Sequence, residues 1–173
     1  MDVTIRGAGI FGLSIAWQCT LRGASVQVID PNGIGAGSSG GIVGALAPHV
    51  PENWNTKKEF QFQSLIAAEP FWAQIEKMSG MSSGYGRLGR IQPITDQNQL
   101  ALAHQRSENA KALWRNKAKW HVINNAPNFA PVSTTGFWIK DTLSARLNPR
   151  LACNALAEAL RLQGVSFAGE GVD

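Results

Sequence analysis

The chain has 173 residues, of which 44% are hydrophobic and 16% charged, with a formal net charge of +4 at neutral pH. This composition predicts a soluble globular fold and excludes a disordered, collagen-like or disulfide-stapled chain. Cys19 and Cys153 lie far apart inside apolar helical patterns, so they indicate neither a disulfide framework nor a metal site, and a reducing, cytoplasmic compartment is expected.

Membrane and nucleic-acid partners are not expected. No stretch stays apolar for the roughly 18 residues of a membrane span, and the first residues lack the features of a secretory leader. The charge is modest and no long basic run occurs. One basic segment with interleaved tryptophans imitates a nucleic-acid patch, but a solvated helix face is the better interpretation. Its residues are Arg106, Lys111, Arg115, Lys117, Lys119, Trp114 and Trp120.

The first 30 residues carry the pattern of a strand, a tight turn, a helix and a second strand. Residues 3–5 are a β-branched run, the glycines of residues 7–12 predict the turn, and apolar residues then recur at helical spacing. Gly23 is expected to end this helix, and Val26–Ile29 supplies the second strand. We therefore predict a compact βαβ unit.

The rest of the chain predicts further helices and strands. Residues 31–51 are rich in glycine and other small residues, which indicates a backbone lying close to another group. Asn148 and Pro149 give the clearest helix start, because asparagine caps helices and proline suits their first position. The other predicted elements are a helix with capping-box spacing at 56–59, a kink at Pro70 and an end at Gly80, a strand at 90–94, a helix from Gln97 to about Trp114, a strand at 136–140, a helix ended by Gly164 and a strand from Val165.

The turn contains a G-x-G-x-x-G motif formed by Gly7, Gly9 and Gly12, and Asp30 ends the next strand. In a dinucleotide site the first glycine permits the tight turn, the second lets the backbone approach a pyrophosphate, and the third allows close helix–strand contact. The helix N-terminus would bind the phosphates, and Asp30 would accept hydrogen bonds from the adenosine ribose. An acid here disfavours NADP, and the motif alone leaves FAD and NAD open.

Beyond Asp30 the sequence resembles the FAD-dependent amino-acid oxidases of the D-amino-acid oxidase superfamily, most closely its glycine oxidase and sarcosine oxidase branch. The resemblance rests on the N-terminal motif, on Ser38 and Ser39, and on the Gly-x-Leu-Ala-Pro-like run at residues 44–48. It continues from residue 136 to residue 172, in a helix and strand that look like the family's returning pair.

The resemblance implies FAD as the cofactor. Ile10 and Phe11 would contact the pyrophosphate, Pro31 would lie with Asp30 at the ribose, and the serines would bond phosphate or ribitol oxygens. The segment from Val43 would run beside the isoalloxazine, and the main chain of Val172 near the adenine. In full, the residues implied in cofactor binding are Gly7, Gly9, Ile10, Phe11, Gly12, Asp30, Pro31, Ser38, Ser39, Val43, Gly44, Ala45, Leu46 and Val172. The sequence departs from the family pattern at Arg6, where a small residue is usual, and at Asp30, where Glu is commoner.

The expected fold is α/β. A Rossmann-like FAD-binding domain with a parallel sheet would comprise residues 1–50 and 145–173, and it would be interrupted at 51–144 by part of a mixed α+β substrate domain. The resemblance implies an oxidoreductase that passes hydride from a C–H next to nitrogen, in a small amine or amino acid, to flavin N5.

Two alternatives to a complete amino-acid oxidase stay open. In the first, the chain, which is shorter than the resembling enzymes, is a non-catalytic nucleotide-binding fragment that needs a missing C-terminal half or a second chain. In the second, it resembles a tRNA-modifying relative that oxidises an amine on a uridine and has a similar Gly-Ala-Leu-x-Pro loop.

No catalytic residue is assigned. His49 could face a substrate, while Tyr85 and Arg87 are better explained by a turn with a solvated arginine than by carboxylate binding.

Overall fold

The computed structural model describes residues 1–169, which form two compact units. Among these residues, unit 1 comprises Met1–Gly44, Pro70–Tyr85 and residues 146–169, and unit 2 comprises Ala45–Glu69 and Gly86–Ala145. In chain order the elements are β1 (Val3–Arg6), α1 (Ile10–Thr20), β2 (Val26–Ile29), a 3₁₀ turn (Ser38–Gly40), β3 (Gly44–Leu46), α2 (Thr56–Ser79), β4 (Arg90–Pro93), α3 (Gln97–Leu113), β5 (Trp120–Ile123), β6 (Trp138–Asp141), β7 (Ala145–Leu147), α4 (Pro149–Leu162) and β8 (Ser166–Ala168).

Unit 1 contains a parallel sheet of strand order β1-β2-β8, which confirms the predicted α/β fold. The β-branched residues of β2 are buried, as is usual for a central parallel strand. Helices α1 and α4 pack together, and their shared core includes the fully buried side chains of Leu13, Trp17, Leu156 and Leu160. This packing fixes the position of the turn between β1 and α1.

The predicted helix ends of unit 1 are confirmed. Asn148 caps α4, because its Oδ1 accepts a hydrogen bond from the N–H of Leu151 at 3.1 Å, and Pro149 begins the helix. Gly23 follows α1 with φ +82° and Gly164 follows α4 with φ +83°, the left-handed conformation in which glycine commonly ends a helix.

Unit 2 contains an antiparallel sheet of order β4-β6-β5. Its core joins Phe62 of α2, Trp114 and the β5 residue Trp120, and the two tryptophan rings meet edge to face with centroids 6.0 Å apart. Asp141, at the end of β6, is completely buried and accepts hydrogen bonds from the N–H groups of Leu143 and Ser144.

Two expectations for unit 2 are wrong. The tryptophans interleaved with basic residues do not belong to a solvated helix face: α3 ends at Leu113, and Trp114 and Trp120 are core residues. Arg87 is not a solvated turn residue either, because its guanidinium is mostly buried and donates to the carbonyl oxygens of Thr142 and Lys117 at 2.9 and 2.8 Å.

The start of α2 also differs from the prediction. The capping side chain is that of Asn55, whose Oδ1 accepts a hydrogen bond from the N–H of Lys58 at 3.1 Å. Thr56 is already the first helical residue. The helix continues through Pro70 and ends at Ser79, before Gly80. Within residues 1–169, no helix combines the length and the apolar character needed to cross a bilayer.

Candidate functional site

The turn between β1 and α1 depends on two glycines. Gly7 has φ +105°, a backbone conformation that side chains with a Cβ rarely adopt, so the chain can reverse sharply after β1. A Cβ on Gly12 would overlap the carbonyl oxygen of Gly7 and lie 3.3 Å from the Cγ2 of Ile5. Glycine at this position therefore lets α1 start directly against β1.

Ser39 lies at the N-terminus of α1, although it is distant in sequence. Its Oγ accepts a hydrogen bond from the N–H of Ile10 at 3.1 Å. A Cβ on Gly9 would lie 3.1 Å from the same oxygen, closer than most real Cβ contacts, so Gly9 leaves room for the hydroxyl. Because Ser39 accepts through its oxygen, its own hydroxyl hydrogen remains available for an acceptor such as a phosphate oxygen.

Asp30 follows β2 and holds two backbone segments. Its Oδ2 accepts a hydrogen bond from the N–H of Ala8, inside the glycine turn, at 2.8 Å, and its Oδ1 accepts one from the N–H of Asn32 at 2.9 Å. These hydrogen bonds lower the pKa of the Asp30 carboxyl below its ordinary value of 3.8, and the bond from the Ala8 N–H has the largest effect. The side chain is therefore ionised at neutral pH.

These features surround a cavity of about 250 Å³ in unit 1. It is lined by Arg6, Gly7, Gly9, Ile10, Phe11, Gly12, Asp30, Gly37, Ser38 and Ser39. Eight of these ten residues were predicted to bind the cofactor. The structure thus brings the glycine motif, the acid and the two serines together around one space.

The remaining predicted contacts lie elsewhere or outside the described residues. Pro31 is exposed after Asp30 and does not line the cavity. Val43 is 78% exposed, and a Cβ on Gly44 would lie 3.2 Å from the Cγ of Pro149. Ala45 and Leu46 belong to β3, and Val172 lies outside the described residues, so the contacts assigned to these positions stay predictions.

Sequence reasoning did not assign two of the lining residues, Arg6 and Gly37. Gly37 lies in the glycine- and serine-rich segment that was expected to approach another group. The sequence did not indicate which of the several glycines in that segment would lie next to the ligand. Arg6 was visible as a departure from the family pattern and was not connected with the site. The signal was its position, because the residue before the first glycine ends β1 at the mouth of the turn.

The chemistry of the cavity suits the anionic part of a dinucleotide. The backbone N–H groups that follow Ile10 in the first turn of α1 and the positive end of the helix dipole favour phosphate, and Asp30 offers an ionised acceptor for hydroxyl groups. Among the ten residues that line the cavity, Asp30 and Arg6 are the only ones with ionisable side chains. The cavity can therefore bind and orient a ligand, but it does not combine an acid with a base.

The chain has recognisable relatives among known proteins. A family model described as "DAO: FAD dependent oxidoreductase" matches residues 2–171. The chain is 27% identical over 169 residues to the bifunctional protein ThiO/ThiG of Nostoc sp., and this alignment covers 96% of this chain and 25% of the relative. It is 25% identical over 166 residues to glycine oxidase of Geobacillus kaustophilus, and that alignment covers 94% of this chain and 38% of the glycine oxidase.

The fold is also similar to solved structures. The L-amino acid deaminase from Proteus vulgaris superposes with a TM-score of 0.73 at 20% identity, over 96% of this chain and 39% of that one. The chain thus spans between a quarter and two fifths of the length of these three proteins.

Proposed function

Because the chain belongs to the DAO family of FAD-dependent oxidoreductases, we propose that its glycine-lined cavity binds FAD for the oxidation of an amine or amino acid. The observation that carries this proposal is the convergence of Gly12, Asp30 and Ser39 on one cavity beside the N-terminus of α1. The relative named glycine oxidase supports the choice of an amine or amino acid as donor.

The residues present fit the cofactor. Gly9 carries no Cβ beside the Ser39 hydroxyl, where a Cβ would lie 3.1 Å from its oxygen, and this leaves the backbone N–H groups at the start of α1 open to phosphates. In the proposed complex these N–H groups and the Ser39 hydroxyl bind the pyrophosphate. The free lone pairs of the Asp30 carboxylate accept hydrogen bonds from the adenosine ribose, while the same carboxylate keeps its bond to Ala8.

Bound FAD would supply a hydride acceptor for a C–H bond next to nitrogen. The contribution of this chain is to bind and orient. Ile42 and Val43 are 75% and 78% exposed, an unusual pair of adjacent apolar side chains, and we propose that the segment from Val43 to Leu46 lies along the flavin ring. We further propose that unit 2 belongs to the substrate side of the protein and that Val172 contributes a main-chain contact to the adenine.

A second candidate is FAD binding without turnover by this chain alone. The residues that line the cavity favour it. Asp30 is the one carboxylic acid among them, and both of its oxygens already accept backbone hydrogen bonds. Proton transfer and substrate binding would then depend on residues outside the cavity described here. The two candidates share the cofactor and differ in activity.

One experiment separates them. The protein is purified and its visible spectrum is recorded for bound flavin, and it is then mixed with glycine, sarcosine or D-amino acids while peroxide formation and dye reduction are followed. Flavin binding with turnover supports the amine or amino-acid oxidoreductase, and flavin binding without turnover supports the second candidate. Failure to bind flavin after reconstitution with FAD contradicts both.

A further inference from the structure

Arg6 occupies a special position at the cavity. It is the last residue of β1, immediately before the sharp turn at Gly7, and its Cα is paired with that of Ile29, the residue before Asp30. Ile5 is buried in the core, and the alternation of side chains along a strand directs Arg6 to the opposite face, where it is exposed and lines the cavity.

The guanidinium of Arg6 has no polar partner among residues 1–169, whereas every other arginine of this part of the chain has one. Asp30 lines the same cavity, yet it does not pair with Arg6 and bonds the N–H groups of Ala8 and Asn32 instead. The partnered arginines, through hydrogen bonds or ion pairs, are Arg22, Arg87, Arg90, Arg106, Arg115, Arg146, Arg150 and Arg161.

We propose that Arg6 binds a phosphate oxygen of the dinucleotide and makes the cavity selective for ligands that carry the pyrophosphate. This inference rests on the proposed function. A helix N-terminus offers only about half a positive charge, whereas a pyrophosphate carries two negative charges. A guanidinium supplies a full charge and a planar pair of donors that match phosphate oxygens. Arg6 therefore adds a full positive charge that the helix N-terminus and the Ser39 hydroxyl do not supply.

The test compares Arg6→Gln and Arg6→Lys with Arg22→Gln, a control at an exposed arginine just after the end of α1 that does not line the cavity. Dissociation constants are measured for FAD and, by competition, for ADP and adenosine. We expect Arg6→Gln to weaken FAD and ADP about tenfold or more, with little effect on adenosine, because only the first two carry the pyrophosphate. Arg6→Lys should recover part of the loss, and Arg22→Gln should bind like the unaltered protein.

Salt dependence gives a second measurement that does not rely on the folding of a variant. If Arg6 contacts phosphate, FAD and ADP binding by the unaltered protein weakens as salt rises, and adenosine binding does not. Equal FAD affinity in folded Arg6→Gln and Arg22→Gln overturns the inference and leaves the proposed function intact. An equal loss for adenosine also overturns it, because Arg6 would then act on the nucleoside or the loop. Absence of FAD binding by the unaltered protein overturns the proposed function itself.

Discussion

The carboxylate of Asp30 accepts a hydrogen bond from the backbone N–H of Ala8 at 2.8 Å, which ties the end of β2 to the centre of the glycine turn. The second oxygen of the same carboxylate holds the N–H of Asn32, so one side chain orders both loops at this edge of the parallel sheet. An acid at this position therefore has a structural role before any ligand binds. Its ribose contact, in the proposed complex, is added to that role.

Replacing Asp30 with asparagine should weaken FAD binding about tenfold, because the ribose hydroxyls would lose a charged acceptor.

Asp30→Asn should also change the dependence of stability on pH. The pKa of Asp30 is lowered on folding, so its stabilising contribution is complete above the ordinary value of 3.8 and is lost as the pH falls through the lower folded pKa. The difference in Tm between the unaltered protein and Asp30→Asn should be constant from about pH 7 to about pH 5 and shrink in stronger acid. A difference that already shrinks near neutral pH contradicts the assigned hydrogen bonds.

Replacing Gly12 with alanine should damage both folding and binding, because the new Cβ would overlap the carbonyl oxygen of Gly7. Such overpacking costs about 1–3 kcal/mol in the free energy of unfolding, or more where backbone must shift. Gly37→Ala is the control in the same cavity, since a Cβ on Gly37 would meet no atom within 4 Å and the φ of this residue is −87°. Urea denaturation of the two variants checks the difference. Similar stabilities would show that the helix and strand are not in close contact at Gly12.

Replacing Ser39 with alanine removes the acceptor of the Ile10 N–H and the hydroxyl offered to the pyrophosphate. Loss of a side chain that caps a helix N-terminus costs about 0.5–2 kcal/mol in the free energy of unfolding. We also expect FAD to bind more weakly than to Ser38→Ala, which alters the neighbouring serine of the cavity. Thermal unfolding without ligand and FAD titration measure the two effects. If Ser38→Ala is the more harmful change, the roles of the serines are reversed.

Replacing Asp141 with alanine tests the core of unit 2 independently of any cofactor. The carboxylate is completely buried, bonds the N–H and hydroxyl groups of Ser144, and lies 3.4 Å from the Nε of Arg90. Its loss leaves several buried donors without an acceptor, so the free energy of unfolding should fall by about 3–5 kcal/mol. Asp96→Ala, which removes only the exposed cap of α3, should cost about 1 kcal/mol. Equal effects in urea denaturation would contradict this assignment.

The elements of unit 1 could be predicted because their signals are local. Asn148 caps the helix that follows it, Gly23 ends the helix that precedes it, and the glycine motif specifies its own turn. The position of Ser39 was implied by the family resemblance. Its hydrogen bond to Ile10 depends on how the intervening segment folds back, which no local pattern encodes.

Unit 2 was harder to predict because its strands and anchors depend on distant partners. β5 was missed, since its four residues make sense as a strand only when paired with β6. Arg87 was misinterpreted because its acceptors are the carbonyl oxygens of residues 55 and 30 positions away. Helix α2, which begins in this unit, was placed correctly, but its cap was shifted by one residue, since Asn55 and Thr56 are both residues that cap helices.

The most direct test of the central claim is a calorimetric titration of the purified, flavin-free protein with FAD, repeated in the presence of ADP. Binding at the glycine-lined cavity predicts saturation at one FAD per chain. It also predicts a loss of apparent affinity with ADP, which carries the adenosine and the pyrophosphate that Asp30, Ser39 and the N-terminus of α1 would bind. Absence of saturable FAD binding, or FAD binding that ADP leaves unchanged, would contradict the assignment of this cavity.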